Sequence, residues 1–159
     1  MTPDEYAQQA AARMRADGST VSDVALPGGP ALVGYQSKFR LRWFATKVHL
    51  FTVVVPAPQA TAPLLDDVIR QSIEYAKRTK GRLRGLQTGV AIIPALVAAD
   101  VQSDARTAVE ARPGRAWAAI ALPTIVDLAA GETYLYRGRL IWGGIYGAWL
   151  RERIAATLS

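Results

Sequence analysis

Apolar and polar positions divide the chain into helical and extended stretches, separated by turns rich in Gly and Pro. Over residues 3 to 17, Tyr6, Ala10 and Met14 recur at intervals of four, the spacing that keeps side chains on one helical face. Thr2-Pro3-Asp4-Glu5 has the form of a capping box with proline at the first helical position, and Gly18 stands where such a helix stops. After Leu26-Pro27-Gly28-Gly29-Pro30, residues Ala31 to Ser37 read as a strand and Phe39 to Thr46 as a second. In that second stretch Phe39, Leu41, Trp43 and Ala45 fall on one face, expected to be core, and Lys38, Arg40 and Arg42 on the other, expected to be cationic. Val48 to Val55 is apolar at both parities, as in a strand covered on both faces, and belongs at the centre of a sheet.

Thr61 to Lys80 carries the fullest set of helix signals: a capping Thr, Pro63, Asp66 and Asp67 early, Lys77, Arg78 and Lys80 late, then Gly81. Leu65, Ile69, Ser72 and Ala76, with Val68 and Ile73, form its inner face. Gly89 to Ala99 reads as a strand interrupted by Pro94, Val101 to Arg112 as a helix ended by Pro113-Gly114, and Trp117 to Val126 as a strand interrupted by Pro123. The strings Ile93-Pro94-Ala95-Leu96-Val97 and Leu122-Pro123-Thr124-Ile125-Val126 are alike, which fits neighbouring strands either side of a crossover helix, with each Pro at an edge or bulge. Glu132 to Tyr136 and Arg139 to Trp142 suggest a hairpin around Arg137-Gly138, and Ile145 to Leu158 a closing helix. The fold class is therefore α+β, in the order α-β-β-β-α-β-α-β-β-β-α: a central mixed or mostly antiparallel sheet of about five to seven strands flanked by about four helices. No linker or low-complexity stretch divides residues 1–159, so a single domain is expected.

Composition changes this picture mainly by exclusion. There is no cysteine, hence no disulfide, iron–sulfur cluster or thiolate zinc site. The longest apolar runs, Gly89 to Ala99, Ala116 to Val126 and Leu140 to Leu150, fall short of the roughly 18 residues that span a bilayer. Asp4 and Glu5 precede any basic residue and no continuous apolar run follows, so no signal peptide is expected and the cytoplasm is the predicted location.

Candidate chemistry is sparse. His49 is the only histidine, without a G-x-S-x-G elbow, so it reads as a structural residue with one hydrogen bond rather than a catalytic base. Asp127 and Glu132 flank a turn where a general acid and base pair could stand, but two acids at a turn are commonly just solvated. Catalysis would require a closed pocket in which at least two of Lys47, His49, Asp127 and Glu132 converge. Gly143-Gly144-Ile145-Tyr146-Gly147 joins a strand to a helix, where backbone N–H groups can hold an anion, yet the dinucleotide pattern fails at Trp142 and close helix packing is the simpler reading. No catalytic residue, cofactor or metal site is predicted.

The α-β-β-β-α-β opening is similar in coarse topology to the core of the restriction-endonuclease-like nucleases. The resemblance implies carboxylates and a lysine on the second and third strands, holding Mg²⁺ at a phosphodiester. From Val24 through Leu65 there is no Asp or Glu, although Lys38 or Lys47 could imitate the lysine, so a related fold would lack the activity.

The positive signal is charge. The net charge is +6 with fifteen Arg against four Lys, a bias that a GC-rich genome also produces. Lys38, Arg40, Arg42 and Lys47 lie close in sequence, and Lys77, Arg78, Lys80, Arg82 and Arg84 crowd one helix end, as in patches that release counterions from a polyanion. A second surface is suggested by Tyr134, Tyr136, Trp142 and Trp149, residue types that anchor interfaces. The expectation is a binding or interaction domain without catalysis, its partner another protein or a second copy of the chain and not a membrane. Nucleic-acid binding through the cations is the alternative.

Overall fold

The computed structural model describes residues 1–40, 46–80, 88–113, 119–140 and 144–159. Helix α1 (Pro3–Ala16) leads into strands β1 (Thr20–Leu26), β2 (Gly29–Arg40) and β3 (Thr46–Ala60), then α2 (Ala62–Lys80), β4 (Thr88–Val101) and α3 (Ser103–Glu110). Strands β5 (Ala119–Ala121), β6 (Thr124–Asp127) and β7 (Glu132–Leu135) and helix α4 (Gly144–Leu158) complete the chain. The fold is α+β, in the element order read from the sequence: a mixed seven-stranded sheet, β1-β2-β3-β4-β6-β7 with β5 also on β4, and four helices. β1, β2 and β3 form an antiparallel meander, β3, β4 and β6 run parallel, and β7 returns antiparallel. No helix among the described residues is long and apolar enough to cross a membrane.

Three boundaries differ from the expected ones. Thr20–Leu26 is a strand that the pattern did not announce, because as the sheet's outer strand it buries only Leu26 and leaves its other residues exposed or half-buried. The two strands expected from Ala31 and from Phe39 run as one as far as Arg40. The expected hairpin partner from Arg139 is not a strand at Arg139 and Leu140; β7 pairs instead with β6.

Period-2 alternation sorts the strands onto two helical layers. Leu32, Val48, Leu50, Val54, Ile93 and Val97 pack against α1 and α4; Val33, Phe51, Val53, Ile92 and Leu96 face the opposite layer, which α2 and α3 form. β3 and β4 lie inside the sheet with helices on both faces, which is why their apolar runs lose alternation. α1 approaches closely because position 34 is Gly: a β-carbon there would lie 2.6 Å from the Met14 sulfur.

The two proline strings stand side by side as expected, with Ala95 opposite Thr124, Leu96 opposite Ile125 and Val97 opposite Val126. Neither proline is at an edge of the sheet. They meet at an interruption: β4 pairs β5 through Ile92 and β6 from Ala95, and the Ile92 carbonyl accepts from Leu122 N–H at 3.0 Å. By alternation Pro94 faces the same neighbour as Ile92, so its missing N–H falls where the ladder is already broken.

The helix signals at residues 2 to 5 are realised in full. Thr2 Oγ1 accepts from Glu5 N–H at 3.2 Å, and the Glu5 carboxylate accepts from Thr2 N–H at 2.7 Å. Thr2→Ala is expected to cost about 1 kcal/mol, read as a lower midpoint in thermal or urea unfolding. At α2, Thr61 caps Leu64 N–H and Asp104 accepts from Ala62 N–H, so an acid from α3 completes the start of α2.

Candidate nucleic-acid interface

The parallel strands give the sheet two chemically different ends. A strand advances about 3.3 Å per residue and a helix about 1.5 Å, so the 15 residues of β3 extend about 50 Å while the 19 of α2 return only about 28 Å. The strands therefore outrun the helix layer. Tyr75, near the carboxyl end of α2, already packs edge-on against Phe51 at 6.1 Å between ring centroids, which leaves the first residues of β3 ahead of it. On the other face α1 ends near Gly34. Ser37, Lys38 and Phe39 of β2 and Lys47 of β3 are consequently all exposed, at the end of a ribbon of β2, β3 and β4 that runs past the described helices.

This corrects the expectation for Phe39, which is not a core residue: its side chain is 58% exposed. Strand alternation places it correctly opposite Lys38, but among the described residues there is no helix over that face at its level. β2 also runs past its other neighbour, since the β1 ladder ends at the Thr20–Tyr35 pair. Below the ribbon the packing becomes tight. His49 is buried, its Nδ1 lies 2.7 Å from the Tyr35 hydroxyl, and the two rings stack at 5.9 Å.

The topology collects sequence-distant cations at this end. Lys47 pairs with Phe39 across the ribbon, and Arg40 pairs with Thr46. α2 leaves β3 at its far end and runs back toward the start of β4, itself level with Lys47, so half-buried Lys77, exposed Arg78 and residue Lys80 are carried to the same end. Arg42, Arg82 and Arg84 lie outside the described residues. Arg112, Arg137 and Arg139, which the sequence reading did not include, are exposed but follow elements that stop short of this end: β7 finishes at Leu135, level through Thr124 and Ala95 with Val54, seven residues along β3 from Lys47. The grouping of the lysines with Arg78 depends on crossover geometry, which local sequence does not carry.

The opposite end is acidic. Asp100 accepts from the side-chain amides of Gln59 at 2.8 Å and Gln102 at 2.9 Å, and these donors hold its carboxyl below the ordinary value. Asp104 stands at the start of α2, and Asp127 and Glu132 face each other at the end of β6 and the start of β7. Asp127 is committed to the turn, its Oδ1 accepting from Ala129 and Ala130 N–H at 3.0 Å each. It aligns through Ala98 with Ala57, some eight residues or about 26 Å along β3 from His49. Lys47 and His49 are thus at one end and Asp127 and Glu132, register partners of each other, at the opposite end, so the two pairs lie apart.

The residues expected at an interface are largely internal. Trp149 and Tyr134 are buried, Trp149 in the layer of α1 and α4 and Tyr134 beside α3 with Arg106 4.3 Å over its ring; Tyr136 is half-buried. Trp142 lies outside the described residues. Gly147 behaves as a packing residue, since a β-carbon there would stand 3.2 Å from a Leu140 methyl. β2 and β3 contain no Asp or Glu, so the second and third strands offer no carboxylate to a hard cation, and no cluster of three or more His, Asp or Glu occurs among the described residues. Comparison with protein-family models, with characterised proteins and with solved structures finds no match for this chain.

Proposed function

We propose that this chain is a binding protein without catalysis of its own, and that it takes nucleic acid at the basic end of its sheet. The observation that carries the reading is the convergence of Lys38, Lys47, Lys77 and Arg78, from three elements, on one end of a sheet whose other end holds Asp100, Asp104, Asp127 and Glu132. A chain polarised in this way orients a polyanion before contact and neutralises several phosphates once bound. A protein-interaction role at Tyr134 and Trp149 has less support, because both side chains are already used inside the fold. Separation of Lys47 and His49 from Asp127 and Glu132 argues for binding rather than chemistry.

The test is binding to labelled nucleic acid across a salt series. Affinity should fall steeply as salt rises, and Lys38→Ala with Lys47→Ala should weaken binding and reduce the slope of log K against log salt by about 2. Both side chains are exposed, so the fold should be unchanged by circular dichroism. Absence of binding at low salt, or a slope untouched by the double substitution, would overturn the reading.

A further inference from the structure

Resting on that reading, we propose that the ligand is single-stranded nucleic acid, with Phe39 as the platform on which a base stacks. Among the described residues the large hydrophobic side chains left exposed are Met1 and Phe39; Phe51, Trp149 and Tyr134 are all buried. Phe39 lies at the end of this ribbon, where neither helical layer reaches among the described residues. Its cross-strand partner is Lys47, on the same face, and Lys38 and Arg40 adjoin it in sequence. An aromatic face beside an ammonium group is the pairing that sequence-tolerant single-strand sites use, the ring taking a base and the cation the adjoining phosphate.

The strandedness follows from which surfaces each ligand offers. In a duplex the base faces are occupied by their neighbours, so Phe39 could gain nothing and only the phosphates would be read. In a single strand the faces are free and the backbone can turn a base toward the ring while keeping its phosphates near the lysines. An acidic protein segment would satisfy the cations but has no need of the ring. An anionic bilayer would need far more exposed apolar surface than one side chain supplies.

Fluorescence anisotropy at moderate salt separates these cases, using an oligothymidylate of about 20 nucleotides, an abasic oligomer of equal charge and a blunt duplex of the same length. The intact chain should bind oligothymidylate about tenfold or more tightly than either comparison ligand. Phe39→Ala should lose about five- to hundred-fold on oligothymidylate, leave the abasic oligomer unaffected and keep the salt slope; Phe39→Trp should restore the preference. Equal affinity for the duplex, an unchanged affinity in Phe39→Ala, or displacement of oligothymidylate by phosphatidylserine vesicles would overturn the inference while leaving a basic binding surface. Failure of all three nucleic-acid ligands to bind at low salt would instead remove the underlying reading.

Discussion

Phe51→Ala is expected to lower the free energy of unfolding by about 3–5 kcal/mol, the range for emptying a large aromatic site in a packed core. Phe51 is 1% exposed and packs among Val33, Val53, Ala76 and Ile92, between the sheet and α2. It also links two rings, Tyr35 at 5.2 Å and Tyr75 at 6.1 Å in an edge-on arrangement, and such pairs add about 0.5–1.5 kcal/mol beyond area burial. Against a total stability of about 5–15 kcal/mol for a domain, the loss is about a fifth or more. Urea unfolding should show a lower midpoint with an unchanged slope. Phe39→Ala provides the contrast, since the same side-chain deletion at an exposed position should change stability by under about 0.5 kcal/mol. A loss below about 1 kcal/mol at Phe51 would mean that α2 does not seat on the sheet as described.

Asp17→Ala should cost about 2–4 kcal/mol, for an electrostatic reason. Asp17 follows α1 and its carboxylate pairs with Arg153 of α4, both side chains being 16% exposed. The same carboxylate accepts from the Gln36 amide at 3.2 Å, and that amide reaches Ser19 at 3.3 Å, so one acid joins α1, β2 and α4. Removing it leaves a largely desolvated guanidinium with exposed Glu152, at 2.7 Å, as its remaining ion pair and an Nε that finds no acceptor among the described residues. Replacing both partners, as Asp17→Ala with Arg153→Met, should recover part of the loss, because an apolar pair of similar volume carries no charge to strand. If the double variant is no more stable than Asp17→Ala, the pair is not what couples the helices.

The sheet's interior was legible in the sequence because burial on both faces writes itself as an unbroken apolar run, at Val48 to Val55 and again around Ile92 to Val97. The similar proline strings pointed to β4 and β6 as neighbours. β1 was not legible: an outer strand that buries only Leu26 has little reason to alternate. Phe39 shows a different limit. Its parity was readable, but whether that face meets a helix depends on where α1 and α2 stop in space. The same holds for the site: each cation run was visible, whereas their convergence needed the direction of the β3-α2-β4 crossover. Tyr134 and Trp149 are buried, and the sequence alone could not separate the two roles because aromatic residues suit cores and interfaces equally.

The end of β2 also has a colloidal consequence. From Gln36 to Arg40, β2 has no β1 partner, which among the described residues leaves a short strand edge that also shows an aromatic ring. Such an edge is a template for pairing with another molecule, and charged residues, lysine above all, are the usual deterrent. Lys38 lies on this strand end and Lys47 on the strand beside it, so the side chains proposed to meet phosphate are also placed to keep unliganded molecules apart. On the proposed reading, ligand affinity and dispersity are tied to the same few charges, and neutralising them exchanges a weakened binder for one prone to edge-to-edge association.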